Sequence, residues 1–241
     1  MKFDVISIFP EFFEGALSCG MLRVAQDKGA MDIKITNPRD FVKDRVVDDY
    51  QFGGGAGMVF KPEPLIKAIN SVRTDRSTLV YLTPKGELLD QKMVNEFARK
   101  DHMIIISGRY KGVDERIIDV FEPRQISVGD YILSGGETAA LVLIESITRL
   151  LPGVLGNRDS AETDSFQKNL LEAPIYTRPG VYRRLKVPNV LRSGNHNRIA
   201  EWRRKKSIEM TLLRKPELLG NETFSEKDFE ILLEVLNGRN S

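Results

Sequence analysis

Ser127-Val128-Gly129-Asp130-Tyr131-Ile132-Leu133-Ser134-Gly135-Gly136-Glu137 is the segment on which the interpretation of this chain turns. Gly129, Gly135 and Gly136 stand among apolar neighbours, and the apolar run Thr138 to Leu151 follows directly. Such a backbone bends tightly and lets another group come close. A second glycine loop lies upstream, Ser107-Gly108-Arg109-Tyr110-Lys111-Gly112-Val113-Asp114-Glu115-Arg116, after the strand-like Met103-Ile104-Ile105-Ile106. Two such loops after buried strands predict a pocket made mostly of main chain. Open α/β sheets bind ligands at the C-terminal ends of their strands, and the two strands are expected to be neighbours.

The flanking sequence alternates strand and helix patterns. Phe3 to Phe9 reads as a strand ending at Pro10, and Glu11 to Lys28 as one helix ended by Gly29. Met31 to Thr36 alternates as a strand; Pro62 to Val72 is a helix with proline at its start. Thr78 to Leu82 is a strand, Asp90 to Lys100 a helix, and Gln125 to Val128 a further strand. Glu137 to Leu151 is a helix stopped by Pro152. This order predicts an α/β fold with a mainly parallel sheet over residues 1–156. From 157 to 173 the chain is nearly free of apolar residues at first and reads as a flexible connector. Residues 174–241 read as a small, mostly helical domain, with Asn195 to Leu213 a basic amphipathic helix and Glu226 to Leu236 a second helix capped by Ser225.

Charge separates the two regions. Between Ile175 and Leu218 twelve Lys/Arg face three acids, a local +9 in a chain of net charge +2, which leaves −7 for the remainder. A basic module on an acidic body points to a polyanionic partner. The single cysteine, Cys19, excludes an internal disulfide and a Cys-cluster metal site, and two histidines argue against a His-rich zinc site. No apolar run reaches the ~20 residues that span a bilayer, and the N-terminus lacks the shape of a signal peptide. A soluble cytoplasmic protein is expected.

Neither the Gly-x-x-x-x-Gly-Lys-Ser/Thr nor the Gly-x-Gly-x-x-Gly fingerprint occurs. The strings that do occur are Phe52-Gly53-Gly54-Gly55-Ala56-Gly57-Met58-Val59, Tyr81-Leu82-Thr83-Pro84-Lys85-Gly86, Gly108-Arg109-Tyr110, Gly112 to Arg116 and Gly129 to Glu137. They continue as Leu151-Pro152-Gly153-Val154-Leu155-Gly156, Asp164-Ser165-Phe166, Tyr176-Thr177-Arg178-Pro179 and Ser193-Gly194-Asn195-His196. In this order, over nearly the whole chain, they resemble the bacterial tRNA (guanine-N1) methyltransferases of the SPOUT superfamily.

That resemblance implies a deep trefoil knot in the catalytic domain, an exception to the rule that chains avoid threading. It implies S-adenosyl-L-methionine as methyl donor and a homodimer with a composite active site. It also implies a tRNA partner, gripped at the anticodon stem-loop and methylated at N1 of guanosine 37. By matching strings, the donor would be held by Tyr81, Leu82, Pro84, Gly108, Val128, Gly129, Tyr131, Ile132, Leu133, Gly135 and Gly136. Asp164 would be the general base and Arg149 the partner of the guanine O6, from different subunits. A magnesium requirement is a family expectation, but no dedicated ligand set is visible in the sequence. One position departs from the family: Lys111 stands where glutamate is usual. An ammonium can neither accept a hydrogen bond from the donor's amino group nor ligate a metal.

Overall fold

A computed structural model describes residues 1–155, 164–166 and 169–237. The chain divides into two compact units, Met1–Gly156 and Asn157–Ser241. The expected connector lies partly outside the described residues, at 157–163 and 167–168.

The first unit is built on β1 (Lys2–Ile6), β2 (Asp32–Thr36), β5 (Ser77–Leu88), β6 (His102–Ser107) and β7 (Arg124–Ser127). They form one parallel sheet in the order β2-β1-β6-β5-β7. Between them run α1 (Glu11–Leu17), α2 (Gly20–Asp27), α3 (Pro62–Val72), α4 (Gln91–Phe97), α5 (Glu115–Phe121) and α6 (Glu137–Thr148). A two-stranded antiparallel ribbon, β3 (Asp48–Tyr50) and β4 (Met58–Phe60), flanks the sheet. Every residue of β6 is buried, which is why its sequence reads as a continuous apolar run rather than an alternation. Its side chains still alternate by face. Met103 and Ile105 join one core with Phe13, Ala25, Phe97, Leu143 and Ile147. Ile104 and Ile106 join another with Leu65, Ile69, Ile117 and Phe121. The unit is therefore three layers, helix-sheet-helix.

Three expectations change. The single helix over 11–28 is two, because Cys19 is extended (φ −139°, ψ 172°) and Gly20 takes φ +59°, a conformation open mainly to glycine. Strand β5 runs past Leu82 to Leu88 through an irregularity, so that Ile126 of β7 pairs with both Leu82 and Glu87. Residues 83–86 pass so close to β7 that a Cβ on Gly86 would lie 2.3 Å from the amide nitrogen of Ile126. Finally, the two strands that lead into the glycine loops are not neighbours, since β5 lies between β6 and β7.

In the second unit, a short hairpin of β8 (Val181–Tyr182) and β9 (Leu185–Lys186) precedes α7 (His196–Arg214) and α8 (Glu226–Asn237). Asn195 caps α7, its Oδ1 accepting from the Arg198 amide at 3.1 Å. At α8 the Ser225 hydroxyl accepts from the Asp228 amide, while Asp228 accepts from the Ser225 amide in return. The core is small: Leu170, Ile208 and Ile231, with Leu219, Phe224, Leu232 and Val235 packed around them. Arg204 staples it, donating to Asp228 through Nε and Nη2 (both 3.0 Å) and to Glu222 through Nη1.

Candidate functional site

A cavity of about 640 Å³ opens at the C-terminal ends of β6 and β7 and at the irregular middle of β5. Strand β5 contributes Tyr81, Leu82 and Pro84 to its wall; the loop after β6 contributes Gly108. The loop after β7 contributes Val128, Gly129, Tyr131, Ile132, Leu133, Gly135 and Gly136. These eleven are the positions expected to hold a donor, and they share one cavity although their strands are interleaved in the sheet.

Close main-chain contact holds the two glycine loops together. The Gly136 amide donates to the Gly108 carbonyl at 2.8 Å, and Arg109 and Gly135 form an isolated antiparallel bridge. A Cβ on Gly136 would fall 2.8 Å from the Ser107 Cα, against backbone that has no slack. At Gly129 the backbone has φ +149°, and a Cβ would meet the Tyr131 ring at 2.3 Å. Tyr131 is tied down locally, its hydroxyl donating to the Val128 carbonyl at 3.1 Å. The same ring is 56% exposed and Ile132 is 81% exposed, so the loop presents apolar surface at the cavity mouth. On the opposite wall the Tyr81 ring is buried against Gly108 and Gly112, and this burial raises the pKa of its phenol.

Of the charges on this wall the sequence points to Lys111 alone. Lys85, Arg109 and Lys111 line the cavity, and among the described residues no Asp or Glu does. Among the described residues no group of three or more His, Cys, Asp or Glu could hold a metal ion. The cavity wall does not fit a magnesium ion, which takes hard oxygen ligands, chiefly carboxylates. Its size, its apolar faces and its exposed main-chain groups do fit a nucleoside-bearing donor. Lys85 and Arg109 stand inside the quoted motif strings, so their neighbourhood was visible, but nothing in the sequence alone turns a side chain toward a cavity.

The two expected catalytic groups lie elsewhere. Arg149 is the exposed C-terminal cap of α6 in the first unit, its amide donating to the Glu145 carbonyl. Asp164 belongs to the second unit and is half-buried there. It lines a separate cavity of about 1180 Å³ together with Tyr176, Arg178, Arg192 and Arg203. Next to it the Ser165 hydroxyl accepts from the Glu172 amide at 2.9 Å, fixing the turn that carries Asp164.

The basic excess of the 175–218 window is partly neutralised by folding. Arg204 is committed to Asp228 and Glu222, and Lys205 to Glu234, all acids that lie beyond the window. The guanidinium groups of Arg178, Arg192 and Arg203, all on the cavity wall, form the cationic surface there.

Comparison with known proteins follows this geometry. Residues 1–221 match the family model described as tRNA (Guanine-1)-methyltransferase TrmD. A protein of Dictyoglomus turgidum named tRNA (guanine-N(1)-)-methyltransferase is 47% identical over 237 residues, covering 98% of this chain and 96% of its own. Proteins of the same name from Geobacillus kaustophilus (47% identity, covering 97% of this chain and 98% of its own) and Persephonella marina (48%, 99% and 95%) match as fully.

Proposed function

This chain belongs to the tRNA (Guanine-1)-methyltransferase TrmD family of the SPOUT superfamily, and from that membership we propose that it methylates N1 of guanosine 37 in tRNA with S-adenosyl-L-methionine as donor. The observation that carries the donor assignment is the convergence of eleven motif positions on one main-chain-walled cavity. It lies at the strand ends where α/β sheets bind nucleoside ligands.

The donor brings a methyl group on a positively charged sulfur, already a good leaving group. What remains for the protein is the acceptor. Guanine N1 must lose its proton, and the resulting charge gathers toward O6. Asp164 takes that proton, and the Arg149 guanidinium holds O6 by a charge-assisted hydrogen bond. A carboxylate is a weak base for such a proton. Arg149 therefore matters as much as Asp164, because it makes N1 more acidic. The two residues come from different protomers of a homodimer in this reading, so a monomer would lack half of the site.

Residues 174–241, beyond the connector 157–173, are the tRNA-binding domain in this reading, with Arg178, Arg192 and Arg203 on anticodon-stem phosphates. Residues 1–156 are the catalytic domain in this reading, and the trefoil knot that the family membership implies would lie within it. No helix among the described residues is long and apolar enough to cross a membrane.

The test is to incubate the protein with methyl-labelled donor and a tRNA carrying guanosines at 36 and 37, then map the product. Label at N1 of nucleotide 37 is expected. Label elsewhere, or none, overturns the assignment. Light scattering of the same preparation tests the dimer.

A further inference from the structure

Glu137 is the most buried carboxylate near the donor cavity, 1% exposed, at the first position of α6. Its Oε1 accepts from the Ser7 hydroxyl at 2.9 Å, and its Oε2 accepts from Arg109 Nε at 3.0 Å. Ser7 lies just past β1 and is itself 1% exposed; its Oγ also accepts from the Phe9 amide. Arg109 stacks on the Phe9 ring, its guanidinium carbon 4.4 Å from the ring centroid. One carboxylate thus joins the chain after β1, the chain after β6 and the start of α6. Gly135 makes room for it: a Cβ there would fall 2.3 Å from Arg109 Nε and 2.4 Å from Glu137 Oε2.

A buried carboxylate is costly unless paired, and here the pairing is directional. Both the Nε hydrogen bond and the Phe9 stack fix the plane of the Arg109 guanidinium, and Arg109 lines the donor cavity. The donor proposed above carries a carboxylate at its amino-acid end, and the described residues of this wall include cations and no acid.

We propose that Glu137 is a positioning residue of the donor site: it fixes the Arg109 guanidinium in the orientation that receives the donor's carboxylate. The proposal rests on the donor reading above and adds to it a residue that touches no ligand. A preset guanidinium loses little freedom on binding, so the benefit falls on the amino-acid end of the ligand alone.

Two probes separate this from a purely structural role. S-adenosylhomocysteine has the nucleoside and the amino-acid end, whereas 5′-methylthioadenosine has the nucleoside only. Calorimetry of Glu137→Gln should show S-adenosylhomocysteine weakened tenfold or more and 5′-methylthioadenosine unchanged within twofold. Equal weakening of both, or of neither, overturns the proposal. Arg109→Gln carries the same comparison with the buried carboxylate left in place, so a folding defect in Glu137→Gln does not stop the test. Ser7→Ala, which removes the other hydrogen bond to Glu137, should leave the ratio of the two affinities within threefold of wild type. If wild-type protein binds neither probe, the donor reading itself fails, an outcome distinct from equal weakening in the variants.

Discussion

The main-chain amide of Gly136 donates to the carbonyl of Gly108 across 2.8 Å, joining the start of α6 to the end of β6 with no side chain between them. Because a Cβ on Gly136 would lie 2.9 Å from the Gly108 nitrogen, Gly136→Ala must push the two loops apart. Overpacking of this kind costs ~1–3 kcal/mol. Thermal unfolding should record that loss, and S-adenosylhomocysteine binding should fall with it. An alanine variant with wild-type binding would show that the close approach is dispensable.

Asp164→Asn removes the proposed base while keeping the size of the side chain. General-base catalysis contributes about 10²–10⁴-fold, so kcat should fall by that factor. Donor affinity should stay within twofold, since Asp164 does not line the donor cavity. Arg149→Ala should lower kcat in the same way. If Asp164→Asn lost donor binding in proportion to rate, the base assignment would be wrong.

Lys111 places an ammonium on a cavity wall that already carries Lys85 and Arg109. S-adenosyl-L-methionine has one more positive charge than S-adenosylhomocysteine, so the wall favours the product over the donor. A wall charge acts on a ligand charge through an effective dielectric well below that of water, and salt screens the exposed part of that interaction. Lys111→Glu should therefore shift the donor-to-product affinity ratio a few-fold toward the donor, and the shift should shrink in high salt. Titration of both ligands at two salt concentrations measures it; a ratio that does not move would place Lys111 outside the field of the site.

The Arg204 guanidinium, followed by the Ser225 amide and hydroxyl, holds the Asp228 carboxyl at a pKa of about 2. An unfolded aspartate titrates at ~3.9. Since the folded value is the lower one, the pair stabilises the second unit fully above pH ~4, and the contribution is lost as pH falls from 4 toward 2. The difference corresponds to ~2 kcal/mol. Trp202, the only tryptophan, lies on α7 and reports on this unit. Urea unfolding followed by its fluorescence should show wild type losing about that much between pH 6 and pH 2.5 through this pair. Asp228→Asn should be weaker at pH 6 and should lack that part of the acid-dependent loss. Identical acid profiles would remove the pair from the account.

Much of the first unit was legible because burial on both faces leaves a mark in composition. Met103 to Ile106, all apolar, reads as a central strand, and Glu137 onward, apolar with Pro152 beyond, reads as a buried helix. Asn195 and Ser225 announced the starts of α7 and α8 because a cap is a contact within four residues. The break at Cys19–Gly20 was missed, since apolar periodicity continues across it and only the backbone angles reveal the turn. The extension of β5 through Leu88 was missed for a different reason: its partner, β7, lies some forty residues downstream, and exposed Lys85 and Glu87 do not look like strand.

Residue types and their order were enough to establish an α/β layer, a basic region and a family likeness, because each rests on local pattern or on matched strings. The position of β5 between β6 and β7 rested on long-range pairing that no local window contains. So did the contact of Gly136 with Gly108, and the meeting of Ser7, Arg109 and Glu137 from three separate parts of the chain. The neutralisation of Arg204 and Lys205 by acids on another helix or loop belongs to the same class. A carboxylate at position 137 reads on paper as an ordinary helix start. Only the closing of three chain segments around it removes water from the pair and gives the Arg109 guanidinium a direction.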